Sequence, residues 1–335
     1  MMSHPEAFAA LDAIARTHLV HEPTPLVSAP RLAQSLDRAD ATVLVKMDAE
    51  TGFALGGNKV RKLEYELSPS RLDGVTCVIT VGGLNSNHAR VTAAAAARLG
   101  LHCILVLNGE LPAEPTGNTI LHVMFGAELR LVPNRESRDP TALAAAAQIE
   151  AAGGKALFVP LGASTPVGTL GYVRAARELV GQLDGMDGAG VPATTWVFVS
   201  ASSCGTIAGL ALGFTLLGSD DIRLVGISPD VTEAEVLGLT ADLSADAGKM
   251  LGWQGNLTAG LLCASDAYVG EGYALPSQGS LAATERFART EGIVLDPIYT
   301  AKVAHGMIEW LRDDRISYED RVVFWHTGGY PTVFG

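Results

Sequence analysis

Val75-Thr76-Cys77-Val78-Ile79-Thr80-Val81 is an apolar, β-branched run that stops at Gly82-Gly83. A run of this kind, closed by a turn signal, reads as a strand buried on both faces. Residues 89–99 follow with a helical pattern and end at Gly100. The alternation then continues. Strand-like runs at 103–107, 129–132 and 156–160 are separated by helical stretches at 119–125 and 140–152. A second series has strands at 196–199, 223–227 and 322–325, with helices at 206–217, 280–291 and 301–312. This order predicts an α/β protein whose parallel sheets are covered on both faces. In open α/β sheets, ligands bind outside the carboxyl ends of the strands. The polar or glycine-rich segments 82–88, 162–168, 200–206 and 326–329 fall at such ends, so they are expected to meet at one small-molecule crevice.

A chain of 335 residues suits about two domains. Apolar residues make up 48% and charged residues 18%, which excludes a disordered or coiled-coil protein. A net charge of -12 with no Lys/Arg cluster excludes a nucleic-acid surface. Cys77, Cys103, Cys204 and Cys263 are far apart and form no CxxC pair. Neither a disulfide framework nor a metal site is expected from them. The start, Met1-Met2-Ser3-His4-Pro5-Glu6, lacks the basic-then-apolar order of a signal peptide, and no apolar stretch reaches membrane-spanning length. A soluble cytoplasmic protein is expected, with a small molecule as partner rather than a membrane. The segment Gly185-Met186-Asp187-Gly188-Ala189-Gly190 reads as a flexible connector.

Residues 56–64 read Gly-Gly-Asn-Lys-Val-Arg-Lys-Leu-Glu. Glycines free the backbone for a tight turn and for close approach of a ligand. A lysine opening a helix behind such a turn, with its amine partly desolvated, can attack a carbonyl. Lys59 is therefore a candidate Schiff-base lysine; the competing reading is a solvated surface charge. Ser200-Ala201-Ser202-Ser203-Cys204-Gly205-Thr206 follows a strand and opens a helix. Converging N–H groups at a helix N-terminus suit a phosphate, although an ordinary Ser/Thr cap has the same appearance. Gly82-Gly83-Leu84-Asn85-Ser86-Asn87-His88 offers donors for a carboxylate. There too Ser86 or Asn87 could simply cap the helix, and His88 could be a first-turn surface residue. Tyr299, in Asp296-Pro297-Ile298-Tyr299-Thr300, is either a phenol against a flat cofactor, a proton carrier, or a core aromatic. Tyr273 is a second tyrosine in a turn.

In chain order, Gly-Gly-Asn-Lys at 56–59, Ser-Asn-His at 86–88, Ser-Cys-Gly-Thr at 203–206, Asp-Pro-Ile-Tyr-Thr at 296–300 and His-Thr-Gly-Gly at 326–329 form one set. The set resembles the 1-aminocyclopropane-1-carboxylate deaminase/D-cysteine desulfhydrase family of pyridoxal-phosphate enzymes. The resemblance runs from Pro23-Thr24-Pro25-Leu26 to Gly329, and Leu161-Gly162-Ala163-Ser164 with Gly168, Gly171 and Tyr172 also looks like a family segment. It implies the tryptophan-synthase-β-like type II fold: two doubly wound open sheets with the cofactor in a cleft between a large and a small domain. The large domain is expected from 1–61 plus 175–335, the small one from 62–174. A homodimer is also implied.

By that resemblance, Lys59 carries pyridoxal 5'-phosphate as a Schiff base and later moves the Cα proton. Asn58 and Asn87 contact the cofactor, while Ser203, Cys204, Gly205 and Thr206 cup its phosphate. Asn85, Ser86, Asn87 and His88 receive the substrate, Ser86 also acting in catalysis. Tyr299 lies against the ring with Tyr273 nearby, both catalytic, and Thr300 and Thr327 supply hydroxyls. The implied reaction is β-elimination from a small β-substituted amino acid, with D-cysteine giving pyruvate, ammonia and sulfide. Thr300 favours the desulfhydrase-like branch, since the deaminase branch resembles Asp-Pro-Val-Tyr-Glu at this point. Lys46-Met47-Asp48-Ala49-Glu50, Asn85, Ser202, Cys204 and Tyr330 depart from the family pattern. They are expected to cluster at the active-site face and shift the substrate. Rival readings are a 1-aminocyclopropane-1-carboxylate deaminase, a β-replacement or cysteate-lyase enzyme, and a non-catalytic amino-acid-binding homologue.

Overall fold

A computed structural model describes residues 3–186 and 192–334. Most of the connector expected at 185–190 lies outside the described residues, as do Met1 and Met2. The chain opens with α1 (Pro5–Ala13), β1 (Leu26–Ser28), α2 (Pro30–Gln34) and β2 (Thr42–Lys46). Next come α3 (Lys59–Glu66), β3 (Cys77–Gly83), α4 (Asn87–Arg98), β4 (His102–Asn108) and α5 (Gly117–Met124). β5 (Glu128–Val132), α6 (Arg138–Ala151), β6 (Ala156–Val159) and α7 (Pro166–Met186) follow. The remainder is β7 (Thr195–Ser200), α8 (Gly205–Leu217), β8 (Ile222–Ile227), α9 (Glu233–Met250), β9 (Leu262–Ser265), α10 (Gln278–Glu291), α11 (Thr300–Arg312) and β10 (Arg321–Trp325).

The strands form two sheets. One has six strands in the order β1-β2-β10-β7-β8-β9; the other has four in the order β5-β4-β3-β6. Among the described residues only the edge pair β1–β2 is antiparallel. The α/β expectation therefore holds, with two mostly parallel sheets. Strand residues alternate between faces, and both faces are buried. In β10, Val322 and Phe324 enter one core with Phe198 and Val225, while Val323 and Trp325 enter the opposite core with Val197 and Leu224. In β3, Val78 packs against α4, whereas Ile79 and Val81 pack on the other side with Ala142 and Ala145 of α6. That is why these strands read as unbroken apolar runs.

Each sheet has one place where the strand order reverses. The chain moves outward from β3 to β4 to β5, then returns to β6 on the other side of β3. Likewise it moves from β7 to β8 to β9, then returns to β10 on the other side of β7. A crevice opens at the carboxyl ends of strands flanking such a reversal. The four segments that follow β3, β6, β7 and β10 are the four singled out from the sequence. Residues 61/62 fall within α3 and residues 174/175 within α7, so each helix runs on through an expected domain border.

Candidate active site

A cavity of about 340 Å³ lies where these four strand ends meet. Gly83, Ser86 and Asn87 line it beyond β3, Leu161 and Gly162 beyond β6, Ser202 and Ser203 beyond β7, and Thr327 and Gly328 beyond β10. Its size is that of a site for a cofactor or small ligand.

Lys59 reaches this cavity from the first turn of α3. The turn before it is unusual, because Ala54, Leu55, Gly56 and Gly57 all have positive φ. A Cβ on Gly56 would lie 1.7 Å from the Ala49 carbonyl oxygen, so no other residue fits there. Three elements hold the turn. Gly57 N donates to Asp48 O at 2.8 Å, Asn58 N donates to Thr327 O at 2.9 Å, and Arg90 of α4 donates to the carbonyls of Ala54 and Gly56. The Asn58 side chain joins Lys59 to α8, accepting from Lys59 Nζ at 3.1 Å and donating to Thr206 Oγ1 at 3.0 Å. Burial pulls the Lys59 amine down to about 8, against the opposing charge of Asp296. The solvated-surface reading of Lys59 does not apply.

Behind this turn is a closed ionic cluster. Asp48 accepts from Arg61 Nε at 3.0 Å and Nη2 at 2.8 Å, from Tyr172 at 2.5 Å and from Trp325 Nε1 at 2.9 Å. Arg61 also pairs with Glu178, which accepts from Lys46. Lys46 and Asp48 are fully buried, as is Arg61 at 1% exposure. Two cations and two anions compensate one another, as buried charges require.

The segment after β7 forms a cup at the start of α8. Cys204 is its N-cap in the left-handed conformation, φ 58°. Side chains would close this cup at two points: a Cβ on Gly162 would lie 2.6 Å from Ser203 Oγ, and one on Gly205 2.7 Å from Ser164 Oγ. Lys62, one turn after Lys59, donates to Ser164 Oγ at 2.9 Å, and Ser164 donates to Ser203 Oγ at 2.8 Å. Burial, then the neighbouring Lys59 charge, depresses the Lys62 amine well below the usual lysine value. A buried amine with no carboxylate bonded to it among the described residues, beside a helix N-terminus, is a waiting partner for an anion. Amine, cup and lysine together fit a phosphate-bearing aldehyde.

Opposite the cup, α4 begins at the cavity wall. Ser86 caps it, accepting from Ala89 N at 3.1 Å, so the capping reading of Ser86 is right as geometry. Asn87 lines the cavity and its Oδ1 accepts from Asn118 at 3.0 Å. His88 is not a surface residue: it is 2% exposed and its Nε2 lies 2.7 Å from Thr80 Oγ1. Burial, then the charges of Lys59 and Lys62, hold it neutral. Tyr299 and Tyr273 also face the cavity, with hydroxyls 2.5 Å apart and rings edge to face. Burial, then Tyr273, keeps the Tyr299 phenol protonated well above its usual range.

Several expected site residues stand elsewhere. Asn85 is exposed and contributes its carbonyl to Asn118 instead. Gly205 turns its N–H to Ser203 O and Ser164 Oγ. Thr300 does not line the cavity, since its hydroxyl donates to Asp296 Oδ2 at 2.6 Å inside the first turn of α11. Asp296, four residues earlier, lines the cavity together with Tyr299, and its carboxylate also accepts from the N–H groups of Ile298, Tyr299 and Thr300. Tyr330 corrects a further expectation. With Met47 and Glu50 it borders a separate cavity between β1 and the C-terminal segment, so these departures do not cluster at the active-site face. Ser202 and Cys204 do.

Sequence reasoning missed Lys62, Arg135, Arg138 and Asp230. Lys62 was legible as the i+3 neighbour of Lys59 on one helix face. Arg135, Arg138 and Asp230 line the cavity beyond the carboxyl ends of β5 and β8, where the strand-end rule also applies.

Known proteins fit this geometry. Residues 18–328 match the family described as pyridoxal-phosphate dependent enzyme, and the chain belongs to that family. D-cysteine desulfhydrase of Salmonella typhi is 34% identical over 326 residues, 95% of each chain. The crystal structure of an ACC deaminase homologue superposes with a TM-score of 0.87 at 34% identity, covering 99% of this chain and 97% of that one. A threonine deaminase isoform from Solanum lycopersicum shares the fold at TM-score 0.68 and 19% identity, over 98% and 90% of the two chains.

Proposed function

We propose that this enzyme removes the Cα proton and the β-substituent of a small amino acid, as a D-cysteine desulfhydrase-like lyase. One observation carries the proposal: a single cavity brings the depressed amine of Lys59, an anion cup backed by Lys62, and two hydrogen-bonded tyrosines together. Lys59 would hold the aldehyde carbon of pyridoxal phosphate. Ser203, Cys204 and Thr206 would surround the phosphate with Lys62 supplying the countercharge, and Asn58, Asn87 and Thr327 would border the ring. The cofactor, when bound, supplies an electron-withdrawing ring that stabilises negative charge at the substrate Cα.

The protein's own groups would do the rest. The N-terminus of α4, with Ser86, Asn87 and His88, receives the substrate carboxylate. Lys59 Nζ takes the Cα proton; burial lowers the amine from 10.5 to about 8, so far more of it is neutral and able to accept a proton near neutral pH than of an ordinary lysine. The bond from Cβ to the leaving group breaks with both electrons on that group, and Tyr299, protonated and paired with Tyr273, can supply a proton to it. The released enamine tautomerises and takes up water, giving a keto acid and ammonia. With D-cysteine the products are pyruvate, ammonia and hydrogen sulfide.

The 34% identity to D-cysteine desulfhydrase supports this reading over ring opening of 1-aminocyclopropane-1-carboxylate. Assay of the holoenzyme with D-cysteine, β-chloro-D-alanine and 1-aminocyclopropane-1-carboxylate tests it: pyruvate from the first two is expected, and 2-oxobutanoate from the third alone would overturn it. Our assignment of a large unit and a small unit rests on the two sheets, with α3 and α7 running between them. We read the protein as cytoplasmic; no described helix is long and apolar enough to cross a membrane. A homodimer is supported by the exposed apolar residues Val27, Val294 and Phe334 around the second cavity, and sedimentation tests it.

A further inference from the structure

Arg138 is a buried cation in the cavity wall that the chemistry above does not use. It is 8% exposed, stands at the first position of α6 and lines the cavity. Its Nε and Nη2 both donate to one neutral acceptor, Asn108 Oδ1 at the end of β4, with Nε at 2.7 Å. No carboxylate lies within ion-pair distance of it among the described residues.

The acids of the same cavity are otherwise engaged. Asp230 pairs with Arg135 at 3.4 Å, and Asp296 is bonded to the first turn of α11. Asp139, the next residue in the chain, also lines the cavity; it is exposed to water, and its charge favours the Arg138 cation without coming within ion-pair distance. Burial, then the like charge of Arg135, works against the Arg138 cation. Arginine nevertheless stays charged in proteins. A guanidinium desolvated to this degree ordinarily faces a carboxylate or another oxyanion.

The position of Arg138 separates it from the phosphate cup. Its guanidinium lies 3.9 Å from where a Cβ on Gly83 would be, at the end of β3, and it lines the same cavity as Tyr299, Tyr273 and Arg135, the last seated 4.6 Å over the Tyr273 ring. It therefore faces the tyrosine side of the cavity, where the proposed reaction releases the β-substituent. That group departs with the bonding electron pair, so a neutral or anionic substituent carries one more negative charge on leaving.

We propose that Arg138 receives an anionic β-substituent, a sulfur or phosphorus oxyanion, and so directs the enzyme to amino acids with a negatively charged side chain. The proposal rests on the lyase reading and names its substrate class. Elimination from cysteate would release sulfite, and elimination from O-phosphoserine would release phosphate. Each would leave the same enamine, which hydrolyses to pyruvate and ammonia.

The test compares kcat/KM of the holoenzyme on both enantiomers of cysteate and O-phosphoserine with that on cysteine and β-chloroalanine. The wild type is expected to favour at least one anionic substrate over the neutral ones by about tenfold or more. Arg138→Gln should reduce that ratio by about tenfold, mainly through KM for the anionic substrate, and Arg138→Lys should restore part of it. Preference for the neutral substrates would overturn the proposal. So would an equal fall for both classes, since Arg138 would then serve the α-carboxylate or the fold. If no substrate yields pyruvate, the lyase reading fails and binding decides between the same two outcomes. Titration with cysteate, followed by thermal shift, should then give a dissociation constant about tenfold weaker in Arg138→Gln; equal constants would overturn the assignment.

Discussion

Lys62 Nζ donates a 2.9 Å hydrogen bond to Ser164 Oγ, and both side chains stand directly behind the mouth of α8. The amine is buried and depressed, so a phosphate arriving in the cup meets a base ready to take up a proton and become its countercharge. Lys62→Met removes that charge at similar length. Charge-assisted hydrogen bonds contribute about 1.5–3 kcal/mol, so cofactor affinity should fall about tenfold to a hundredfold. Fluorescence titration of the cofactor-free protein measures it. An unchanged affinity would place the phosphate elsewhere.

Cys204 adopts φ 58°, a conformation that costs a residue with a Cβ about 1 kcal/mol or more. Direct replacement by glycine also removes the buried thiol, so the strain is better read from two variants that both lack it. Cys204→Gly should be more stable than Cys204→Ala by about 1 kcal/mol or more, since glycine takes the left-handed conformation freely and also suits an N-cap better than alanine. Urea unfolding of the two proteins decides, and equal or greater stability of the alanine variant would show that the strain is absent.

The Asp48 cluster governs acid stability. Burial alone would raise the Asp48 carboxyl, but the Arg61 charge and hydrogen bonds outweigh it and hold the value at about 2, below the ordinary 3.8. A carboxylate depressed in the folded state stabilises the protein above its unfolded value, and that contribution is lost as pH falls through the folded value. Asp48→Ala leaves Arg61 and Lys46 short of a partner and should cost about 3–5 kcal/mol near neutral pH. The gap between wild type and variant should narrow as pH drops from 3.8 towards 2. Unfolding curves across that range check both the size and the sign.

Much of this was legible in the chain, and particular residues show why the rest was not. Strands β3, β7 and β10 are covered on both faces, so their apolar runs and closing glycines or polar turns mark them to within two residues. β2 is harder to see because it ends in Lys46, a charge made tolerable by Asp48 and by Glu178, the latter 132 residues away in sequence. α7 begins inside a glycine-rich stretch whose glycines lie against other backbones: a Cβ on Gly171 would meet the Arg61 carbonyl at 2.2 Å. That reads as a loop until the partner is known. In the site, Lys59 stood out through the turn before it. Arg138 did not, because its burial depends on Asn108 and the cavity wall rather than on neighbours in the chain.

Lys59 as the covalent anchor of the cofactor is the point on which the chemistry turns, and Lys62 one turn away is its natural competitor. Borohydride reduction of the holoenzyme followed by peptide mass mapping reads the attachment directly. The pyridoxyl group should be found on Lys59, and Lys59→Ala should fold, bind no reducible cofactor and lose the visible absorbance band. A pyridoxyl group on Lys62 or any other lysine, or a Lys59→Ala protein that retains the band, would contradict the assignment.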